Sequence, residues 1–407
     1  MNKIDKIIAE EIKDSRGNPT IKVTVTSGDF SSSFYVPSGA STGANEALEL
    51  RDEDSKGVSS AIKNINETIA PSLLGKDIEN QREIDETMLE LDGTKNKSKL
   101  GGNAIIGVSI AVAKTSAKVK GLEVYEYLRM LSEIKPSRHT PYLYMNLING
   151  GKHAQNDLAF QEYHIVPDTD DVSEAIDIGI KIQNSIKEII TEKYGEDSIV
   201  LGDEGGYAPK ISDIREPLVI LIEAIRKNNL EGKVKLALDV ASSSFYDNKT
   251  LKYKIDNREI LKEELLSVYK DLINEFNLLS IEDPFDEEDF ESFAKLKNQN
   301  PEIKVVGDDL TVTNIERVKQ AVYNDSINAM IIKPNQIGTL SETLDTMKFA
   351  RENNIELIVS HRSGETGDDF IADLSYAFGC YGLKSGAPQK IERKVKYDRL
   401  IEISKRV

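Results

Sequence analysis

Charged residues placed just after short apolar runs constrain the fold of this chain more than any other feature. Residues 278–281, 303–306 and 329–332 are largely apolar, as the buried strands of a parallel sheet are. The charged residues that follow are Glu282, Asp308 and Lys333, at steps of 26 and 25 residues. Such steps fit one strand plus one helix, and in a barrel of these units all strand carboxyl ends open onto one face. The phasing predicts a barrel with a site at that face; the alternative for each residue is a structural ion pair in a loop.

The same phasing extends along most of the chain. Steps of 28 and 23 residues separate Lys333, His361 and Lys384, and earlier runs lead to Glu162, to residues 202–206 and to Asp239. We predict strands at residues 142–147, 159–166, 198–201, 234–238, 278–281, 303–306, 329–332 and 355–359. We predict helices at residues 174–194, 216–228, 261–276, 315–323 and 341–353. About 265 residues follow a linker at 137–141, close to the roughly 250 residues of a (β/α)8 barrel.

The chain before the linker has a different pattern. Ile21, Val23 and Val25 alternate with polar residues, which is the period of a half-buried strand, and residues 30–36 form a second run. Residues 58–132 show helical spacing, with an apolar, buried helix predicted at 104–119. Strands followed by helices indicate an α+β domain. We therefore predict an α/β fold in two domains: an α+β domain at residues 1–136 and a (β/α)8-type barrel at 137–407.

Composition narrows the class of protein. Lys and Arg total 52 and Asp and Glu total 69, and the net charge of −17 argues against a nucleic-acid binder. No run approaches the roughly 18 apolar residues of a membrane span, and the charged start is not a signal peptide. A single cysteine, Cys380, fits a reducing cytosol. We expect a cytoplasmic protein whose anionic substrate, if it has one, is held by local cations such as Lys333, Arg362 and Lys384.

Three carboxylates in the predicted ring point to a metal. Asp239, Glu282 and Asp308 offer hard oxygen ligands without His or Cys, which favours Mg²⁺ over Zn²⁺. Lys333 and Lys384 would share the ring with that cation. Nearby positive charge disfavours an ammonium group, so a lysine there should have a lowered pKa and act as a general base.

Two glutamates suggest the matching acid. Glu162 and Glu204 follow strand candidates, and like charge together with desolvation would raise a carboxyl pKa, so that one stays protonated. Base, acid and metal together suit removal of a proton next to a carboxylate, followed by loss of a leaving group.

Three loops each allow a functional and an ordinary interpretation. Arg362 and Ser363 offer a donor fork and a hydroxyl that suit phosphate, or lie in a solvated loop. His153 lies in the glycine-rich stretch 150–154 and is either functional or solvated. The loop of small residues at 37–43 is either a plain turn or a mobile lid.

Several long motifs in this order resemble the enolase (phosphopyruvate hydratase) family. They lie at residues 92–100, 202–206, 280–285, 308–314, 333–339 and 360–366, and the match extends from Asp14 to about Arg393. The resemblance implies a lyase of glycolysis and gluconeogenesis that reversibly dehydrates 2-phospho-D-glycerate to phosphoenolpyruvate. It also implies two Mg²⁺ ions per active site, a barrel whose opening strands depart from strict βα alternation, and a homodimer or octamer.

The resemblance implies a role for each candidate residue. Lys333 would take the C2 proton, and Glu204, with Glu162 beside it, would assist loss of the C3 hydroxide. The first Mg²⁺ would be held by Asp239, Glu282 and Asp308, and a second by Ser41 of the 37–43 loop, which becomes a lid. The remaining pocket residues would be His153 in a second closing loop, Arg362 and Ser363 on the phosphate, and His361 and Lys384.

Some residues depart from the family pattern, and two other functions stay open. Lys152 and the stretch 155–157 are unusual for the second loop, and Glu402 stands where an arginine of a tail ion pair is expected, which puts the usual dimer contacts in doubt. One alternative function is that of a relative of this family acting on another carboxylate. The other is a non-catalytic binding or scaffold protein, including one on the cell surface or secreted.

Overall fold

An antiparallel sheet opens the fold. The computed structural model describes residues 2–39, 43–53 and 56–406. Its first sheet has the order β1 (Lys6–Lys13), β2 (Pro19–Ser27) and β3 (Phe30–Tyr35). The side chains of Ile21, Val23 and Val25 are fully buried on one face of β2, so the predicted period-two strand is confirmed.

Helices cover the buried face of this sheet. They are α1 (Ser59–Asn64), α2 (Ala70–Leu73), α3 (Gln81–Asp92), α4 (Gly102–Val119) and α5 (Val124–Leu131), with a π-helical stretch at Ile65–Ile69 between α1 and α2. Helix α4 is buried along nearly its whole length against β2 and β3. Gly107 permits this approach, since a Cβ there would lie 2.7 Å from Val23 Cγ2. The predicted buried helix is confirmed.

Eight strands of the described residues close into a barrel, as predicted. They are β4 (Tyr142–Asn149), β5 (Glu162–Pro167), β6 (Val234–Asp239), β10 (Leu278–Glu282), β11 (Lys304–Gly307), β12 (Ala329–Ile332), β13 (Glu356–Ser360) and β14 (Gly382–Lys384). A small sheet of β7 (Tyr246–Asp247), β8 (Lys252–Ile255) and β9 (Arg258–Ile260) follows β6. Strand β5 runs antiparallel to β4 and β6, and the other neighbouring barrel strands are parallel. The implied departure from strict alternation is thus present.

Helices surround the barrel. They are α6 (Val172–Tyr194), α7 (Glu216–Lys227), α8 (Lys262–Phe276), α9 (Phe290–Gln299), α10 (Ile315–Tyr323), α11 (Pro334–Ile337), α12 (Leu340–Glu352), α13 (Phe370–Ala377) and α14 (Ile391–Ser404). In the described ranges, no helix is long and apolar enough to cross a bilayer.

One predicted strand is wrong. Residues 196–198 form a short 3-10 turn, and Leu201 makes an isolated bridge with Tyr207 instead of joining the barrel. The side chains of Val200 and Leu201 are 47% and 58% exposed, so this apolar pair does not enter a core. The barrel strand missing from the predictions is β14, whose three residues are too few to show a period.

Candidate active site

The strand ends place the predicted polar residues around one mouth of the barrel. Asp239 and Glu282 end β6 and β10 and are register partners. Asp308 follows β11, Lys333 follows β12, and Lys384 ends β14. Because β5 is antiparallel, its first residue rather than its last, Glu162, lies at this mouth, beside Asp239.

Lys384 joins the carboxylates on one side of the mouth. Its Nζ lies 2.8 Å from Asp239 Oδ2, 2.9 Å from Glu282 Oε1 and 3.3 Å from Glu162 Oε2. Burial acts to lower the pKa of Lys384, but these carboxylates outweigh burial and raise the pKa well above its usual value. The lowered pKa predicted for a lysine beside a bound metal ion stays a prediction; in this arrangement the carboxylates favour the ammonium form of Lys384.

Lys333 contacts Asp308, one of the three predicted metal ligands, directly through Nζ. Burial, Arg362 and Lys384 act to lower the pKa of Lys333, yet the surrounding carboxylates, Asp308 first and Glu282 after it, prevail and the pKa is raised. The predicted lowering belongs to a lysine beside a bound metal ion and stays a prediction; in this arrangement the amine pairs with a carboxylate.

Thr313 and Gln336 hold this pair in place. The Lys333 backbone amide donates to Thr313 Oγ1 at 2.9 Å, and Thr313 donates to Gln336 Oε1 at 2.9 Å. Gln336 Nε2 in turn donates to Asp308 Oδ1 at 2.9 Å. Thr313 has φ +52° and follows Val312 at φ +42°, a left-handed conformation that is rare for β-branched residues. The sequence analysis missed both supporting residues, although each lies inside a motif used for the resemblance, Thr313 in 308–314 and Gln336 in 333–339.

Asp283 holds the backbone at Asp308 and Asp309, and the sequence analysis did not select it either. Its carboxylate accepts the backbone amides of Asp308 at 2.9 Å and Asp309 at 2.7 Å. Burial and the charge of Asp308 raise the pKa of Asp309 to about 8. The density of negative charge here is what a bound cation would relieve.

Three histidines and two glutamates form the other side of the mouth. His153 Nδ1 lies 3.2 Å from Glu162 Oε1 and 3.6 Å from Glu204 Oε1, and His164 Nε2 lies 2.8 Å from Glu162 Oε2. His361 Nε2 lies 3.2 Å from Glu204 Oε2. All five side chains are buried. His164, which the sequence analysis did not select, belongs to this cluster.

The predicted protonated glutamate is not found. Burial acts to raise the pKa of Glu162 and of Glu204, but their cationic and hydrogen-bonding neighbours prevail and lower both. Lys384 and His153 act on Glu162, and His361 and His153 act on Glu204. Both groups are therefore carboxylates in this arrangement.

The phosphate-binding candidates Arg362 and Ser363 lie in the loop that follows β13. Arg362 Nη1 lies 2.9 Å from Glu46 Oε2 and Nη2 lies 3.3 Å from Glu46 Oε1, a two-point ion pair between buried groups. Glu46 also accepts the backbone amide of Gly43 at 3.0 Å, which ties the end of the 37–43 loop to this arginine. Ser363 lines the same cavity as Arg362. Ser41 lies outside the described residues.

The donor chemistry of the mouth fits a hard divalent cation. Buried carboxylates gather there, and mutual repulsion together with burial raises the pKa of Asp239 and Glu282. Carboxylate oxygens of Asp283, Asp308 and Asp309 lie within 4.8 Å of one another, as do ligand atoms of His153, Glu162 and Glu204. In the predicted trio, Lys384 Nζ lies against both Asp239 and Glu282 and is the cation that compensates them.

Comparison with known proteins identifies the family. The model for the enolase C-terminal TIM barrel domain matches residues 138–407, and that for the enolase N-terminal domain matches residues 4–128. The enolase of Methanocaldococcus jannaschii is 48% identical, covering 98% of this chain and 94% of that protein. The enolase of Methanopyrus kandleri is 46% identical over 99% and 96%, and enolase B of Dictyostelium discoideum is 45% identical over 98% and 94% of the two chains. The chain belongs to the enolase family.

Proposed function

We propose that this protein is a working enolase, a hydro-lyase that reversibly dehydrates 2-phospho-D-glycerate to phosphoenolpyruvate with Mg²⁺, in glycolysis and gluconeogenesis. The observation that carries the proposal is the contact of Lys333 Nζ with Asp308 inside a ring of buried carboxylates. An amine beside a site for a cation is the arrangement that removal of a proton next to a carboxylate requires.

Lys333 is our candidate for the base. It must be neutral to accept the C2 proton, and Asp308 is the neighbour that raises its pKa most. Neutralising the charge of Asp308 would remove this neighbour and leave burial, Arg362 and Lys384, which lower the pKa of Lys333, against Glu282, which raises it. A cation bound by Asp308 would therefore shift Lys333 toward the neutral form that a base needs.

Glu204 and Glu162 are our candidates for handling the C3 hydroxide. Glu204 lies within reach of His153 and His361, which can donate hydrogen bonds to a carboxylate. To act as the acid, Glu204 would first take up a proton from solvent and then deliver it to the leaving oxygen. Glu162, held by His153, His164 and Lys384, keeps the neighbouring charge fixed.

Different residues of the mouth would hold the phosphate and the carboxylate of the substrate. Arg362 and Ser363 would hold phosphate, in exchange for the ion pair of Arg362 with Glu46. Lys384 would lie near the substrate carboxylate, and His153 and His361 would complete the pocket. The first Mg²⁺ would be held by Asp239, Glu282 and Asp308, and the second would involve Ser41. When bound, Mg²⁺ supplies positive charge that offsets the negative charge developing on the substrate.

The location in the cell and the oligomeric state are proposed from the family. We propose a cytoplasmic homodimer or octamer, supported by the glycolytic role of the family. The division into domains at residues 1–136 and 137–407 remains our proposal.

Absorbance of the conjugated product tests this function. With 2-phosphoglycerate and Mg²⁺, we expect a rising ultraviolet signal that a chelator abolishes and added Mg²⁺ restores. A protein that gives no Mg²⁺-dependent signal, although folded by circular dichroism, would contradict the proposal and favour the non-catalytic alternative.

A further inference from the structure

We propose that Arg393 is a positioning residue that holds His361 as a neutral imidazole with its proton on Nε2, the ring nitrogen beside Glu204. Neither the sequence motifs nor the proposed mechanism assigns a role to this arginine. Its importance for turnover rests on the proposed function, whereas its effect on the imidazole does not.

Arg393 determines which nitrogen of His361 carries the proton. The arginine lies on α14 and is fully buried, and its Nη1 lies 2.5 Å from His361 Nδ1. A guanidinium group only donates hydrogen bonds and does not lose its charge. His361 Nδ1 must therefore be the acceptor, which leaves the proton of the neutral ring on Nε2.

The guanidinium is itself held rigidly by backbone. Nη1 also donates to Arg362 O at 2.6 Å, and Nη2 donates to Ser363 O at 2.7 Å and to Asp203 O at 3.3 Å. These carbonyls belong to the two loops that carry His361 and Glu204. The arginine thus joins the two loops and keeps its own orientation at the same time.

The other ring nitrogen, Nε2, is buried beside the proposed acid and has no hydrogen-bond partner among the described residues. His361 Nε2 lies 3.2 Å from Glu204 Oε2, and Asn146 Nδ2 donates to the same oxygen at 3.0 Å. The backbone of Gly386 packs closely against the ring, since a Cβ at this position would lie 3.0 Å from His361 Cε1 and 3.2 Å from Arg393 Cδ. The imidazole therefore has little room to turn over, and its polarity is set by its two neighbours.

The charges around the ring explain what loss of Arg393 would do. Burial and Arg393 disfavour the imidazolium form of His361, whereas Glu204 and, more weakly, Glu162 favour it. Removing the guanidinium leaves the glutamates in place, so His361 would take up a proton at higher pH and would lose the fixed hydrogen-bond donor to Nδ1. Protonated His361 would then compete with Glu204 as the proton donor to the leaving oxygen.

Nitrogen-15 labelling of histidine tests the inference directly, because the chain has only four histidines. The signals of His361 are identified by their loss in His361→Gln. In wild-type protein we expect an unprotonated Nδ1 and no titration of His361 between pH 8 and pH 5.5. In Arg393→Met we expect its titration midpoint to rise by at least one pH unit. A protonated Nδ1 in the wild type, or an unchanged midpoint in Arg393→Met, would overturn the proposal.

Kinetics separate positioning from general damage. We expect Arg393→Met to slow dehydration about tenfold to a hundredfold, in the range of supporting hydrogen-bond partners, while exchange of the substrate C2 hydrogen with solvent falls less than threefold. The matched control is Arg399→Met, which removes another arginine of α14 that pairs with Asp373 outside the site; it should leave the ratio of the two rates unchanged. Equal loss of both rates in Arg393→Met would refute positioning. A wild-type protein without turnover would refute the proposed function alone, since the nitrogen signals would still report on Arg393.

Discussion

At the scale of single residues, the barrel mouth is governed by two lysines that have different neighbours. Lys384 lies against three carboxylates, so no single loss of charge frees it. Among the described residues, the one carboxylate that forms an ion pair with Lys333 is Asp308. This difference favours Lys333 as the residue that changes protonation and Lys384 as the residue that keeps its charge.

Substitution of the base and the acid should separate the two halves of the reaction. Lys333→Ala should lower both dehydration and exchange of the C2 hydrogen by at least about a thousandfold, within the range of general base catalysis. Glu204→Gln should block dehydration to a similar extent yet retain measurable exchange, because proton removal does not use Glu204. Exchange followed by NMR in deuterated solvent is the measurement. Loss of exchange in Glu204→Gln would show that the roles are divided differently.

His361 should make the fold sensitive to acid. Burial lowers the pKa of His361 to about 4, so the folded protein keeps the ring neutral while the unfolded chain binds a proton below about pH 6.5. The unfolded state then binds more protons, and stability falls as the pH is lowered through this window toward 4. At pH 5 the loss is about 2 kcal/mol. His361→Gln should remove this contribution when denaturant unfolding at pH 7 and pH 5 is compared with the wild type; an equal pH dependence in both proteins would contradict it.

At the scale of elements, helix α14 supports the loop that follows β13. Besides Arg393, this helix supplies Lys396, whose Nζ lies 2.7 Å from Glu365 Oε2 and 2.6 Å from Thr366 O. The side chains of Lys396 and Glu365 are 1% and 4% exposed. The loop with His361, Arg362 and Ser363 is therefore fixed from outside the barrel by buried cations of one helix.

Removal of Lys396 should lower the stability of the fold because it leaves the buried carboxylate of Glu365 without its ion-pair partner. We expect Lys396→Met to reduce the free energy of unfolding by about 3–5 kcal/mol, measured by denaturant titration. The additional change Glu365→Gln should recover part of the loss. Lys394→Met is the matched control, since Lys394 pairs with Asp398 on the exposed side of the same helix and should matter much less. Similar losses in the two single variants would argue against burial as the cause.

At the scale of the whole molecule, Asp85 connects the N-terminal helices to the barrel. This fully buried carboxylate accepts Ser109 Oγ at 2.6 Å, Gln81 Nε2 at 3.1 Å, and both the hydroxyl and the backbone amide of Ser341, at 2.6 and 2.9 Å. Ser341 lies in the first turn of α12. The short helix α11, which carries Gln336, precedes α12, so docking of the two parts bears on the Lys333 side of the site.

Loss of Asp85 should loosen this docking. Asp85→Ala leaves four donors without their acceptor, and we expect a decrease of about 2–4 kcal/mol in the free energy of unfolding, with the calorimetric transition splitting into two. The comparison variant is Arg82→Ala, which breaks the exposed pair of Arg82 with Asp345 between the same helices. A single unsplit transition at the wild-type temperature in Asp85→Ala would contradict the expectation.

Much of the barrel and of its mouth could be predicted because the signals are local. Apolar runs with a charged residue at a regular step describe β10 to β13 and place Glu282, Asp308, Lys333 and His361. Strand β14 is too short for this, and residues 198–201 are apolar without being buried. Arg393 lies in a helix rich in Lys, Arg and Glu, where nothing in its neighbours distinguishes a buried arginine from a solvated one.

The sequence by itself determined most of the barrel strands, their order, and the reactive side chains at their ends, because period and spacing are properties of neighbouring residues. The tertiary structure alone decided the protonation of those side chains: Lys333 against Asp308, Lys384 among three carboxylates, and His361 between Arg393 and Glu204. A pKa depends on distances and burial shared by residues far apart in the chain, and only the closed barrel sets them.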